Sequence, residues 1–577
     1  MRRSDLPDDV RLECDVLVVG GGSAGSTAAI EAAEGLLPGR VILLEKAHIR
    51  RSGAIAIGMD GLNNAIIPGH ATPEQYVREI TMANDGIVDQ RLLWNYAINA
   101  WPMIQQLDRW GVKFQKTVSG GFDVRKVHHK GAYVLPMPEG HDLKRILARE
   151  IRRREVRVVN RVMASRVLVR DGRAVGIAGV DTRTGAFATI RAKSVILACG
   201  ASGRLGLPAS GYLFGTYENP ANAGDGYSMA FHAGAELSNI ECFQINPLIK
   251  DYNGPACAYV TGPLGGHTVN AKGRRFLESD YWSGQMMLEF WRELHGPDGP
   301  VYLKLDHLAP ETIREIEGVL HRTERPSRGR FHEGRGNSYA DAPVEMHVSE
   351  IGLCSGHSAS GVRIDERGAT TVPGLFAAGD MASVPHNYLL GALVYGKIAA
   401  AHAVEHALGS EQPTEDVEAE GAERERVLSP LDREGGLPPH QVEYKIRRLV
   451  NDYLQPPKTE VRLRTGLEHF QRLREDVLHL EARDPHGLMR ALEVGFILDC
   501  AEFAARSSLE RKESRWGLYH YRLDHPDPDP EWFVHLSLRK GEGGAVEFEK
   551  RPVDHSMVQL SEEELSTYSR LRIPREA

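Results

Sequence analysis

The chain has 577 residues, 42% of them hydrophobic and 26% charged, and a formal net charge of −8. That length is too great for one compact core, and at roughly 100–200 residues per unit it predicts about three folded units. The mild acidity leaves no electrostatic footprint for nucleic acid, and no run reaches the roughly 18 apolar residues of a membrane span.

Six cysteines (Cys14, Cys199, Cys242, Cys257, Cys354, Cys500) are scattered without a CxxC pair, which argues against a zinc or iron–sulfur site in this chain and suits a reducing compartment. The opening residues carry no apolar leader. The expectation is a soluble, cytoplasmic protein that reaches a membrane, if at all, through a partner.

In chain order, residues 14–19 (CDVLVV) predict a strand, the following Gly-rich run a turn into a helix, and residues 41–46 (VILLEK) a second strand. Together these make a βαβ unit. Residues 141–154 predict an exposed amphipathic helix whose REIRRR end is a solvated face. Residues 155–200 predict several strands, with turns at Asp171-Gly172 and Thr184-Gly185 forming a ribbon.

Residues 226–344 are mixed and rich in Gly and Pro, as in an inserted unit, and strand character returns over 362–376. In 379–396, GDMASVPHNYLLGALVYG, an acid precedes a polar loop and then an apolar helix beginning near Leu389. Residues 408–440 predict a linker or exposed edge, 441–512 a helical region and 531–552 a closing hairpin.

Residues 20–25, GGGSAG, give GxGxxG between strand and helix. Gly20 makes the tight turn, Gly22 lets the backbone approach a pyrophosphate, and Gly25 lets the helix pack on the strand. The helix N-terminus presents N–H groups and a partial positive charge to phosphates. Glu45 ends the next strand, where a carboxylate bonds ribose hydroxyls. The pattern predicts dinucleotide binding without choosing between FAD and NAD.

Three later segments, RRSGAIA (50–56), VILACG (195–200) and GLFAAGD (374–380), together with RKESR (511–515), resemble the FAD-binding subunits of the succinate dehydrogenase, fumarate reductase, aspartate oxidase and adenylylsulfate reductase superfamily. The resemblance implies an α/β fold: a Rossmann-like, glutathione-reductase-like FAD-binding domain over 1–225 and 351–410, an inserted α+β capping domain over 226–350, and a C-terminal helical domain with a terminal hairpin over 411–577. It implies an FAD cradle of Gly20, Gly22, Ser23, Ala24, Gly25, Glu45 and Lys46 at the first crossover, and Arg51, Ser52, Gly53 and Ala54 after it. Met163, Ala198, Cys199, Gly200 and Asp225 follow, with Gly379, Asp380, Asn387 and Leu390 where the chain returns. Gly53 stands where the covalent members carry a flavin-bonding histidine, so FAD is expected to be non-covalent.

Within the superfamily, EKAHIRRSGAIAIGMDGLNN and VPHNYLLGALVYGKIA look most like the adenylylsulfate reductase alpha subunit, placing Asn63 and His386 on its active-site asparagine and histidine. The chain departs from it at Tyr259, where that enzyme has tryptophan, and at 282–285 (WSGQ), where its substrate arginine is expected. Against the dicarboxylate enzymes, Asn246-Pro247-Leu248 replaces His-Pro-Thr, and the Asn387-Tyr388 region replaces an arginine, although His357 matches a substrate-side histidine.

Asp380 is expected on the ribitol hydroxyls. His386, Asn63, His357 and Tyr259 are the expected catalytic residues, with no metal. Arg204 is a candidate phosphate or substrate contact, Arg274 and Arg275 structural residues at the edge of the cap, and Trp516 a packing residue of the C-terminal domain. The expected activity is that of an FAD-dependent oxidoreductase subunit, carrying out two-electron redox of a small substrate at flavin N5 and exchanging electrons with a ferredoxin-like iron–sulfur partner. The alternatives are the alpha chain of an adenylylsulfate reductase, a fumarate or succinate enzyme, and an electron-transfer subunit without its own substrate site.

Overall fold

The computed structural model describes residues 3–56, 58–126, 133–208, 218–252, 254, 261–277, 284–324, 326–336 and 338–565. Among the described residues, the main sheet has seven strands. Its parallel part runs Arg157–Asn160, Val41–Glu45, Val10–Val19, Phe187–Leu197. Arg173–Asp181 and Val162–Arg170 extend it antiparallel, as the predicted ribbon.

The long strand Phe187–Leu197 pairs on one edge twice. Its first half meets the antiparallel ribbon, and its second half meets the short parallel strand Leu375–Ala377. That second pairing brings the chain's return beside its beginning. Every residue of Val41–Glu45 is buried, as expected of a parallel strand covered on both faces.

The helices Ser23–Gly35 and Tyr388–Leu408 pack on each other against this sheet. The second is apolar nearly all round, with Leu390, Leu393, Val394, Ala399, Ala400 and Ala403 buried, the pattern of a helix enclosed by protein. It begins at Tyr388, one residue before the expected Leu389.

A four-stranded antiparallel sheet orders Pro247–Ile249, Val344–Val348, Val301–Lys304 and His267–Asn270. Another joins Gly361–Val362, Leu237–Ser238 and the predicted closing hairpin, Val534–Lys540 with Val546–Pro552. Helices Pro439–Tyr453, Glu460–Leu478 and Pro485–Glu510 fill the predicted helical region.

Residues 408–440 are the expected exposed edge rather than a linker. Asp416 caps a helix, Val417–Leu428, by accepting from Ala419 N–H. From that helix the buried Glu423 accepts from Ser165 Oγ at 2.7 Å, Arg166 Nε at 2.8 Å and Arg426 Nη2 at 2.6 Å. The segment's polar composition reflects ion pairs onto the sheet.

Arg204 is not exposed to a ligand either. It is 1% exposed and bonds Glu443 Oε2 at 2.7 Å and Glu493 Oε2 at 2.6 Å. Arg490 bonds Glu493 at 2.8 Å, and Lys46 reaches Glu493 Oε1 at 3.0 Å. The network fastens the first crossover to the C-terminal helices. Trp516 is buried, as expected of a packing residue, but its Nε1 donates to Asn84 O at 3.0 Å and its N–H to Asp85 Oδ2 at 2.7 Å, so it joins the C-terminal region to the first part of the chain. Arg274 pairs with Asp298 at 2.6 Å, and Arg275 lies against His267.

Burial pushes the Glu493 carboxyl up, but Lys46, Arg204 and Arg490 overcome it and hold it at about 2. Its contribution to stability is therefore complete above pH 4.5, the ordinary value, and is lost as pH falls toward 2. Breaking a buried pair by removing one charge costs about 3–5 kcal/mol. Glu493→Gln is expected to lose that much in denaturant unfolding at neutral pH, and its stability is expected to fall less than the wild type's on acidification.

Candidate functional site

The site begins where glycine is sterically required. Gly20 has φ +101°, and a Cβ there would lie 2.4 Å from Ala198 O. At Gly25 a Cβ would lie 1.8 Å from Gly20 O, so the helix could not seat on the strand. Gly22 differs, since its Cβ would meet only Gly53 Cα at 3.6 Å. Protein atoms leave that position open, and it faces a cavity. Glu45 accepts from the N–H of Gly21 and of Ala47, each at 2.7 Å, and so fixes the turn.

The cavity is an open cleft with about 940 Å³ of empty space, part of it continuous with solvent. Gly20, Gly22, Ser23, Ala24, Glu45 and Lys46 line it from the first crossover. Arg51, Ser52, Gly53 and Ala54 line it from the following segment, and Ala198, Cys199, Gly200 and Asp225 from the middle of the chain. Gly379 and Asp380 close it. A long, glycine-walled cleft that starts at a helix N-terminus fits a dinucleotide.

Four of the expected cradle residues are not on this wall. Gly25 acts through packing. Met163 is buried on the other face of its strand, and its neighbours Val162 and Ala164 line the cavity instead, because strand side chains alternate. Asn387 and Leu390 are buried, and from their helix it is Ala392 that reaches the wall.

Lys46 and Asp225 are partners, 2.8 Å apart. Asn219, which sequence reasoning missed, donates to Gly53 O at 2.9 Å and lines the cavity. Burial raises the Asp380 carboxyl above its ordinary value, and the nearby Glu218 adds to the effect.

Beyond Asp380 lies a polar cluster at the start of the Tyr388–Leu408 helix. Tyr388 Oη is 3.0 Å from His357 Nδ1 and 3.5 Å from His386 Nδ1. His386 (φ 53°) and Tyr388 (φ 48°) both adopt the left-handed conformation on either side of Asn387. Such strain concentrates at functional sites.

Asn64, also left-handed at φ 57°, donates from Nδ2 to His386 O at 3.0 Å and holds that loop. Both side-chain polar atoms of Asn387 are buried without a hydrogen-bond partner, and so is Asn63 Oδ1. Buried amides are almost always satisfied, so these point to a bound molecule. His386 and His357 thus fall in one region, Asn63 adjoins the Asn64 that holds the His386 loop, and Tyr259 lies outside the described residues. Tyr388 enters the sequence reading only as part of an absent arginine's region, and its hydroxyl proves to be the centre of the cluster. Burial pushes its phenol well above the ordinary range, keeping it a neutral O–H.

The sequence profile of the FAD binding domain family matches residues 15–392, and that of the fumarate reductase flavoprotein C-terminal region matches 443–565. A subunit of the fumarate reductase (CoM/CoB) of Methanothermobacter marburgensis is 27% identical over 562 residues, covering 92% of this chain and 97% of its own. The fumarate reductase flavoprotein subunit of Mycobacterium tuberculosis is 26% identical over 594 residues, covering 93% and 97%.

Among solved structures, adenylylsulfate reductase from Archaeoglobus fulgidus superposes with a TM-score of 0.86 at 25% identity over 97% of this chain and 98% of its own. Escherichia coli quinol fumarate reductase shares the fold, with a TM-score of 0.82 at 22% identity over 95% and 98%.

The two glycines separate fold from cofactor. Gly25→Ala is expected to destabilise the apoprotein, seen as an early melt by circular dichroism. Gly22→Ala is expected to melt like the wild type yet to purify with little yellow colour, because its methyl group occupies the phosphate approach.

Proposed function

We propose that this chain, which belongs to the FAD binding domain family, is the flavin-carrying subunit of an enzyme that performs two-electron chemistry on a small anionic substrate and exchanges electrons with an iron–sulfur partner. Its relatives are FAD-dependent oxidoreductases of the fumarate reductase and adenylylsulfate reductase kind, and so is this chain. FAD, when bound, supplies the redox chemistry. The residues supply binding, orientation and a proton.

The reading is carried by the hydroxyl of Tyr388 held between His357 and His386 beside the unsatisfied carboxamide of Asn387. All are hydrogen-bond donors or can be. They stand at the N-terminus of the buried Tyr388–Leu408 helix, whose dipole favours negative charge. Tyr388, kept a neutral O–H by burial, is suited to donate a hydrogen bond to a developing oxyanion, and its two imidazoles to steady the hydroxyl and exchange a proton.

Arg511 and Arg515, of the C-terminal segment that carries the family likeness, are engaged with Glu241 and Glu513. A dicarboxylate ordinarily needs guanidinium clamps at both ends, so a substrate with a single oxyanion fits better. The described cysteines Cys14, Cys199, Cys242, Cys354 and Cys500 are separate free thiols, so an iron–sulfur cluster would come from a partner. The naming of the relatives as subunits supports this. No described helix is long and apolar enough to cross a membrane.

A second reading, the alpha chain of an adenylylsulfate reductase, is favoured by the likeness at TM-score 0.86 and by the position of His386. Anaerobic titration decides. Bleaching of the flavin by sulfite with AMP-dependent turnover supports the second reading. Reduction by succinate, or reoxidation by fumarate, would instead make it a dicarboxylate enzyme. Bleaching by another small anion without AMP supports the first.

With whichever substrate responds, Tyr388→Phe is expected to lower kcat by about 10²–10³-fold, the usual worth of one hydrogen-bond donor to a developing oxyanion. Flavin content is expected to be unchanged.

A further inference from the structure

The helix Leu143–Arg153 buries a lysine on its apolar face. Lys144 is 2% exposed and sits on the side of the helix that also buries Leu147, Ala148 and Ile151. The helix packs on the Ser23–Gly35 helix and on the turn Ile49–Arg51. From there the Lys144 amine donates to the carbonyl of Gly21 and, at 3.4 Å, to Ser26 Oγ.

The same carbonyl accepts from Ser26 Oγ at 3.1 Å and from Ser52 Oγ at 2.9 Å. The N–H of Gly21 is fixed by Glu45 at 2.7 Å. Gly21 is therefore held at both its N–H and its carbonyl.

The Gly21–Gly22 peptide is not among the cis bonds. In a trans peptide the N–H points opposite to the carbonyl. Drawing the Gly21 carbonyl toward Lys144 thus turns the Gly22 N–H the other way, on the residue that faces the cavity. The serine hydroxyls already satisfy the carbonyl, so the lysine's particular addition is a full positive charge behind the turn. Burying an ammonium group is costly, and an apolar side chain would suit that helix face better unless the charge had a use.

We propose that Lys144 is a cofactor-positioning residue: its ammonium orients the Gly21–Gly22 peptide and sets a fixed positive charge behind the turn that receives the FAD diphosphate. It acts through the turn.

Burial lowers the amine to about 8, and Glu45 alone opposes that shift. Other charged groups on the packed elements are Glu31 and Glu34 of the Ser23–Gly35 helix, and Arg50 and Arg51 of the Ile49–Arg51 turn. His141, Asp142, Arg145 and Glu150 flank Lys144 on its own segment. A bound diphosphate favours the charged amine and raises its pKa. FAD affinity is therefore full below about pH 8 and falls as pH rises toward the higher value of the complex.

The test uses the full-length apoprotein, with FAD itself as probe. Its Kd is read from quenching of flavin fluorescence across this pH range for the wild type, Lys144→Met and Lys144→Arg. Lys144→Met is expected to bind about tenfold or more weakly, as for loss of a charge-assisted hydrogen bond, and to lose the alkaline decline. Lys144→Arg keeps its charge throughout and is expected to recover affinity while its profile stays flat.

Wild-type affinity in Lys144→Met overturns the proposal. So does weaker binding that keeps the wild-type pH profile, which would mark a packing role. Should Lys144→Met fail to fold by circular dichroism, Lys144→Arg decides alone: an alkaline decline like that of the wild type overturns the proposal, and its loss supports it. A wild type that takes up no FAD would instead overturn the cofactor assignment.

Discussion

The whole arrangement depends on bare backbone meeting bare backbone at the first crossover. The Ser23–Gly35 helix seats on its strand only because Gly25 has no side chain to strike Gly20 O. The Tyr388–Leu408 helix lies against it only because Gly396 has none either, since a Cβ there would be 2.3 Å from Ala24 O. These approaches bring the N-terminus of the first helix and Ala392 of the second to one cleft. The first turns its N–H groups to the glycine-walled end of the cleft. The second opens toward the His357–Tyr388–His386 group. A long ligand spanning the two would have negative charge favoured at both ends.

That geometry needs a rigid surround, and buried ion pairs supply it. Lys46 extends from the end of the second strand to Asp225 on the cavity wall and to Glu493 in the C-terminal helices. Arg204 and Arg490 complete the neutralisation of Glu493. Isolated pairs of this kind add little net stability, since desolvation offsets the attraction. A network whose members come from both ends of the chain still has one low-energy arrangement, and so fixes how those ends meet. Arg511, bonded to Glu241 at 2.5 Å and Glu513 at 2.9 Å, ties the chain's last third to its middle in the same way.

What the sequence made legible was what depends on short spacings. The βαβ unit, the glycine turn, Glu45 and the return at Gly379-Asp380 all follow from local chemistry, and all meet at the cleft. Long-range pairing was not legible. Arg204 reads as a possible phosphate ligand until Glu443 and Glu493, distant in sequence, arrive beside it. The charged run around 417–428 reads as a linker until Ser165 and Arg166 appear opposite Glu423. Met163 misses the cavity wall by one residue of strand parity. Lys144 is hidden by the logic of amphipathic patterns, which counts a lysine as surface. The available signal was its position on the stripe with Leu147, Ala148 and Ile151.

The loop before the second helix shows why the proposed reactive end is harder to read than the glycine turn. Phosphate is held by backbone, which glycines announce. The far end is held by side chains in an unusual backbone, which nothing in the residue order announces. His386 and Tyr388 are in the left-handed region without being glycine, and Asn387, between them, has its carboxamide buried and unmatched. Each feature costs free energy of order 1–3 kcal/mol, and Asn64 and Ser355 spend their bonds holding the loop backbone in place through His386 O and Asn387 N. A fold that needed only to pack this helix would relax them. Their persistence side by side, next to a tyrosine shared by two histidines, is what a site built around a ligand requires.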